Sequence, residues 1–431
     1  MPSYTPAVLR FAGLSILATV CLAHLGCRTP IAGGSGLADP AASRTLAVVG
    51  ARVYPSPTAA PVSDGVVVAV GDRISAVGRR DQVTVPAQAT VLDGAGLTVT
   101  AGFWNAHVHF AEPEYTLAGS QPAADLTAKL RAMLTRWGVV TAVDTGSRLE
   151  NTLALRRRVE SGEVPGPRIM IMGGGFVPVN GSPFYLLPAR LPELPSPESA
   201  TLLVEHVLDN PGVDGVKLFT GSWATQESIV VMPTDVVRAA VDAAHRRGKP
   251  VFAHPSNTAG ARAALEGGVD VLAHTFPAGP DWDRSLPRRM REANMALVPT
   301  LKLWPWELGR FSVPAAAIAR TQVSAEAQVR AFVEAGGQLI FGTDVGYMAD
   351  YDPTDEYLLL QHAGLSFNAI LTMLTTAPAQ RFNAGAGAGL VAAGSPADLV
   401  VLEGDPAADI LALARVRYTV RGGQIIYERA P

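Results

Sequence analysis

Leu97-Thr98-Val99-Thr100-Ala101-Gly102-Phe103-Trp104-Asn105-Ala106-His107-Val108-His109 is a run of strand-forming residues that closes on two histidines one residue apart. Side chains alternate along an extended segment, so both imidazoles point to one face and can grip one ion. Alone, such a His-x-His pair is more often two ordinary polar residues than a metal site, because a metal needs several converging ligands. Four further donors change that weighing. Lys217, His254, His274 and Asp344 follow, each at the end of an apolar run of its own.

Outward from this stretch the middle of the chain is periodic. Eight apolar runs alternate with helix-like segments: Leu97 to Val108, Val139 to Asp144, Arg168 to Met172, Gly215 to Phe219, Pro250 to His254, Val269 to His274, Ala296 to Leu301 and Gln338 to Asp344. Helical spacing of apolar residues is clearest at Asp125 to Trp137, Thr234 to Arg247 and Val323 to Ala335. Eight units in succession predict an α/β fold with a closed (β/α)8 TIM-like barrel over residues 101–387. A doubly wound open sheet is the competing architecture. It would not by itself put polar residues at the tails of runs one, four, five, six and eight, whereas barrel active sites are built from those strand ends.

The flanks are β-rich and different in character. Leu46 to Val53, Gly65 to Val70, Arg73 to Val77 and Thr84 to Leu92 lie before the barrel. Ala397 to Leu402, Arg417 to Arg421 and Gln424 to Tyr427 lie after it, with Gly422-Gly423 as a hairpin turn. Residues 45–100 and 388–431 therefore predict one small β-sandwich domain assembled from both ends.

Over 431 residues, 48% hydrophobic content, 17% charged content and a net charge of -3 describe an ordinary globular protein. They exclude the basic excess of a nucleic-acid binder and an acidic tail but name no partner; a small-molecule substrate is the expectation of the donor set below, and nothing indicates an oligomeric state. Arg10 and the apolar stretch Phe11 to Gly26, too short for a comfortable transmembrane helix, read as an export signal over residues 1–27. Leu25-Gly26-Cys27 resembles the lipobox of bacterial lipoproteins, with His24 departing from its usual aliphatic residue. The expectation is a periplasmic protein or a lipoprotein held to the membrane through lipid on Cys27, on a tether over 28–44. The second of two cysteines, Cys21, lies in the same signal, so any metal site must use nitrogen and oxygen ligands.

The donors read individually as follows. Val251-Phe252-Ala253-His254 and Val271-Leu272-Ala273-His274 repeat one pattern twenty residues apart, a helix and return, so adjacent strands would deliver two imidazoles to one rim. Either one alone could be a satisfied core histidine. His206, His245 and His362 fall on helix-like segments and are expected to face solvent. Asp344, closing Leu339-Ile340-Phe341-Gly342-Thr343-Asp344, could cap a following helix, or ligate the metal held by His107 and His109 and accept a proton. Lys217, one of only four lysines among 35 basic residues, stands in Gly215-Val216-Lys217-Leu218-Phe219. It either snorkels from a strand end or is driven by burial toward a neutral amine. Such an amine can add carbon dioxide, and the carbamate could bridge two divalent ions.

These residues, together with Gly394-Ser395-Pro396-Ala397-Asp398-Leu399-Val400-Val401-Leu402, resemble the amidohydrolase superfamily of metal-dependent hydrolases. The likeness is to its imidazolonepropionase and prolidase-like branch with a carboxylated lysine on strand four. The resemblance implies two divalent ions, zinc being the expected metal. His107, His109 and Asp344 would hold one, His254 and His274 the other, with carboxylated Lys217 between them. Deaminase-type relatives carry a glutamate near the third histidine, and His254-Pro255-Ser256-Asn257 supplies none. The expected function is hydrolysis of a carbon-nitrogen amide bond in an N-acyl amino acid, dipeptide or cyclic amide, with Asp344 as proton shuttle. A lactone, ester or phosphotriester hydrolase using the same site, and a non-catalytic surface lipoprotein, are the alternatives. Loops at 173–185, 222–223, 304–306 and 345–351 are expected to line the pocket, with Trp223, Tyr347 and Arg148 as candidate substrate contacts.

Overall fold

A computed structural model describes residues 44–277 and 283–430. The expected export signal, Cys27 and all but the last residue of the expected tether lie outside the described residues.

The described chain opens on five strands: β1 (Thr45–Val53), β2 (Val62–Val70), β3 (Arg73–Arg79), β4 (Thr90–Asp93) and β5 (Leu97–Ala101). β1 pairs antiparallel with β2, and on its other edge it pairs in parallel with β4 along Leu46–Val49 and with β5 at Arg52–Val53. Two strands sharing one edge fork the sheet there. The register of β1 against β2 slips between Val49 and Ala51 and again before Val53, an irregularity that bends a strand and adds twist. The strand expected over Thr84 to Leu92 is shorter than its pattern. Pro86 has no N–H for a ladder, and its carbonyl instead accepts from Ala89 N at 3.0 Å in a turn.

At Gly102 the chain changes sheets, so the single run expected over Leu97 to Val108 is two strands. Gly102 N donates to Asp398 O (2.9 Å), and the next amide, Phe103, donates to Gly138 O (3.0 Å). A Cβ at position 102 would lie 2.5 Å from Val140 Cγ2, so the crossing point has room only for glycine. Beyond it come β6 (Phe103–Val108), β7 (Val139–Asp144), β8 (Arg168–Phe176) and β9 (Gly215–Phe219). A short hairpin of β10 (Gly221–Trp223) and β11 (Ile229–Val231) precedes β12 (Val251–His254), β13 (Val271–Ala273) and β14 (Ala296–Val298). Seven of these, in the order β6-β7-β8-β9-β12-β13-β14, form one parallel sheet.

The eighth run, Gln338 to Asp344, closes the ring without forming a regular strand. It bridges β14 at Leu297 and Leu339 and reaches β6 through Ala106 N to Phe341 O and Asp344 N to His107 O, both 2.8 Å. The ladder is interrupted because a side chain replaces a backbone partner: Asn105 Oδ1 accepts from Thr343 N (3.2 Å) while its Nδ2 donates to Thr343 Oγ1 (2.6 Å). The result is a nearly closed barrel. Ala106, Val143, Met172, Phe252, Val271, Val298 and Ile340 fill its interior, and Phe382 stacks against Trp104 and Phe252 at 5.9 and 5.8 Å.

Helices cover the outside for reasons visible in their residues. Thr234–Arg246 buries Val236, Val237, Ala240, Val241, Ala243 and Ala244, a stripe at three-four spacing, with Asp235 in its first turn and His245 and Arg246 in its last, matching the helix dipole. The helix expected from Asp125 runs Ala123–Met133 and tightens into a 3-10 turn at Thr135–Trp137. The one expected from Val323 begins earlier and spans Ala315–Glu334. His206, His245 and His362 are exposed on their helices.

The chain ends in β15 (Leu399–Glu403), β16 (Val416–Arg421) and β17 (Gln424–Glu428). β15 lies antiparallel to β5, which joins both ends in one sheet of eight strands. Val48, Val67, Val99, Leu399, Val401 and Val420 share one apolar cluster. The expected sandwich is thus a single hydrogen-bonded sheet, forked at β1, built from the two ends.

Candidate metal centre

Six polar side chains meet at the C-terminal mouth of the barrel. His107 belongs to β6 and His109 follows it, Lys217 sits within β9, His254 ends β12, His274 follows β13, and Asp344 stands in the closing segment. All six line one cavity of about 130 Å³. His107 Nε2 and His109 Nε2 lie 3.3 and 3.0 Å from Asp344 Oδ1, and His274 Nε2 lies 3.9 Å from Asp344 Oδ2. The rings of His107 and His274 are 4.6 Å apart, and those of His254 and His274 4.8 Å. His274 and Asp344 adopt left-handed backbone at φ +71° and +61°. Non-glycine residues are held there only when surrounding structure over-determines them, and the turn swings each side chain over the mouth. Gly346 permits the close fit behind them, since a Cβ there would lie 1.7 Å from His109 O.

The donor set fits a divalent metal on physical grounds. Both nitrogens of His107 and Oδ1 of Asp344 are buried without a hydrogen-bond partner, although nitrogen and oxygen are 3.3 Å apart. They are close in space yet lack hydrogen-bonding geometry, which suits donors aimed at a shared ion. Ligand atoms of His107, His274 and Asp344 all fall within 4.8 Å of one another. Burial, with Lys217 adding to it, lowers His107 to about 3, and burial likewise lowers His254 to about 3. These imidazoles are therefore neutral, the form that ligates. Burial alone would raise the Asp344 carboxyl, but the histidines around it, with His109 Nε2 at 3.0 Å, outweigh burial and hold the group well below the usual carboxylate range.

Hydroxyl groups set the tautomers. Ser256 Oγ donates its single proton to Gly221 O (3.0 Å), so at 3.0 Å from His254 Nε2 it must accept, leaving the Nδ1 lone pair for the site. Thr300 Oγ1 donates to Pro299 O (2.9 Å) and so accepts from His274 Nδ1 (2.6 Å), leaving Nε2 for the site. Lys217 is 1% exposed, with Nζ 5.4 Å from the Phe219 ring and no hydrogen bond or ion pair among the described residues. Burial, partly offset by Asp344 and Asp144, lowers its amine to about 8. Neighbouring Asp144, the last residue of β7, braces the turn that follows, its carboxylate occupied by Ser147 and Thr152.

Of the expected substrate contacts, Tyr347 lines the inner cavity and Trp223 a second one of about 300 Å³. Arg148 does neither. It is exposed at the head of helix Leu149–Glu160, where the chain has already turned outward past Gly146. The segment 304–306 is helical, within Leu303–Arg310, where a loop was expected. Tyr185, the last residue of the expected lining loop 173–185, does line the cavity; sequence reading missed Asn105 as a clamp, Ser256 and Thr300 as orienting hydroxyls, and Glu307 as a cavity wall. Only Glu307 carried a signal, as the one acid in the aromatic stretch Leu303-Trp304-Pro305-Trp306-Glu307-Leu308.

A model of the amidohydrolase family matches residues 98–426. A solved structure from Bifidobacterium longum, provisionally assigned as a prolidase, is 26% identical, covers 90% of this chain and 96% of its own, and superposes with a TM-score of 0.75. A prolidase complexed with N-methylphosphonate-L-proline is 24% identical, covers 89% of this chain and 100% of its own, and superposes at 0.73, a likeness of fold. An uncharacterized protein of Mycobacterium bovis is 29% identical over 168 residues, 37% of this chain; the match spans 44% of that relative's length.

Proposed function

The chain belongs to the amidohydrolase family, and from that premise we propose that it is a binuclear metal hydrolase of carbon-nitrogen amide bonds in dipeptides, N-acyl amino acids or cyclic amides. The observation that carries this reading is the buried His107 and Asp344 pair, whose lone pairs converge without hydrogen bonds. His107, His109 and Asp344 would hold one ion and His254 and His274 the second. Lys217 would stand between them as a carbamate: its neutral amine adds carbon dioxide, a proton is released, and an anion with two oxygens results. Divalent ions bound there would lower the pKa of a water molecule and polarise the scissile carbonyl. Asp344, ionised and at the mouth, takes the proton from the attacking water and returns it to the amine nitrogen as the carbon-nitrogen bond breaks. Phe219, Leu191 and Leu303 add apolar lining to the cavity beside the donors. Pro255-Ser256-Asn257 after the third histidine lacks the acid a deaminase would use, and the prolidase-like relatives favour an amide over a lactone or phosphotriester.

The test is turnover of zinc-loaded and chelator-stripped protein on a panel of dipeptides with and without proline, N-acyl amino acids, cyclic amides, lactones and phosphotriesters. Amide hydrolysis confined to the loaded protein is expected. Turnover restricted to lactones or phosphotriesters, or unaffected by stripping, would replace the reading. Residues 1–27 serve, in the same proposal, as an export signal ending at a lipidated Cys27, which mass spectrometry of the mature N-terminus decides.

A further inference from the structure

Two cavities at the barrel mouth meet at one acidic group. Tyr185 and Glu307 line both the inner space of about 130 Å³ over the metal centre and the outer chamber of about 300 Å³. The outer chamber is walled by Phe184, Trp223, Trp304 and Phe311. Tyr347 packs against Tyr185 with ring centroids 5.3 Å apart, and its hydroxyl donates to Glu307 Oε1 at 2.6 Å. Glu307 Oε2 makes no hydrogen bond among the described residues. Arg310, on the same helix, is exposed and lies over the Trp306 ring, 4.6 Å from its centroid. Among the described residues lining either cavity there is no arginine, and the only lysine is Lys217 in the metal centre. Partial burial raises the Glu307 carboxyl above the usual range, Asp344 adding to it, while the Tyr347 hydrogen bond and the Arg310 charge act the other way. Its free Oε2 is therefore an available acceptor at the junction, and a cation brought there by a ligand would meet a carboxylate only partly shielded from water.

We propose that Glu307 receives the protonated amine of the substrate, and that the substrate class is an α-aminoacyl amide with a free amino end and an aromatic or large apolar side chain. The proposal rests on the amide-hydrolase reading above and narrows it. Three arms leave the α-carbon of such a molecule, and the mouth offers one place to each. The carbonyl reaches the inner cavity, the amine meets Glu307 at the junction, and the side chain enters the aromatic chamber. An N-acyl amino acid fits less well, since its amine is neutralised and its carboxylate finds no cationic side chain in the described walls beyond Lys217.

Calorimetric titration of the zinc-loaded protein with L-phenylalaninamide and with 3-phenylpropionamide, which lacks only the amine, tests this. A charge-assisted hydrogen bond predicts at least about tenfold tighter binding of the amine-bearing ligand. In Glu307→Gln the preference should fall below about threefold. Equal affinities in the wild-type protein, no binding of L-phenylalaninamide, or a preference that survives in a folded Glu307→Gln would overturn the proposal; the wild-type comparison decides alone if the variant does not fold. Selective amine binding without hydrolysis of any amide would remove the proposed function and the substrate class with it, leaving only the amine site at Glu307. Amide hydrolysis with no amine preference would do the reverse.

Discussion

An imidazole can bind a metal only through an unprotonated nitrogen, so the residue that takes its N–H matters as much as the histidine. Ser256 and Thr300 do this for His254 and His274 by donating their own protons to Gly221 O and Pro299 O. Ser256→Ala and Thr300→Val should each weaken metal binding by about 10–100-fold with every donor retained. Competition against a chromophoric chelator measures this, and unchanged affinity would remove the orienting role. Asp344 carries a different expectation. Asp344→Asn should keep substantial metal yet lower kcat by about 10²–10⁴-fold, read by elemental analysis beside turnover; retained turnover would exclude the proton shuttle. Lys217→Arg should lose metal outright, because a guanidinium cannot become a carbamate. The donors were legible in the sequence because polar residues that close apolar runs break a pattern. Ser256 and Thr300 were not, since a hydroxyl beside a proline resembles any loop residue.

At the scale of elements, two features around the mouth are held by side chains in place of a ladder. Asn105 ties the closing segment to β6, and Asn105→Ala leaves Thr343 N and Thr343 Oγ1 without that buried partner. A loss of about 2–4 kcal/mol is expected, measured by urea unfolding, together with weaker metal binding. Glu356, on helix Thr354–His362, accepts from Leu301 N (3.0 Å) and Lys302 N (2.7 Å) and so anchors the loop bearing Thr300. Burial pushes its carboxyl up to about 7, above the ordinary 4.5. Between those values the unfolded chain has released a proton that the folded chain keeps, so stability falls as pH rises through this window and levels off above it. The contribution is about 3 kcal/mol. Glu356→Gln should show a flatter decline in unfolding free energy from about pH 4.5 to 7; an identical slope would assign the effect elsewhere. Strand and helix positions were legible from periodicity, as with β7 and the helix from Thr234. The irregular eighth segment was not, because its apolar pattern is that of a strand and only its distance from β6 lets Asn105 intervene.

For the molecule as a whole, the last strands are structural partners of the first. β15 pairs with β5 along Leu399–Glu403, so a chain ending before Leu399 would bare the edge of β5 and the apolar faces of Val48 and Val99. Such a truncation should be insoluble or unfolded by circular dichroism; a soluble, cooperatively folding product would contradict the shared sheet. What the sequence determined by itself is local or periodic: alternating apolar runs that demand a layered α/β barrel, β-rich flanks, and polar residues placed at strand tails. What only the tertiary structure decided depends on distance between residues remote in the chain. The fork at β1, the tautomers of two histidines and the junction where Glu307 meets both cavities all arise there, because hydrogen bonds and burial act over a few ångströms and no repeat in the sequence records which distant neighbours come that close.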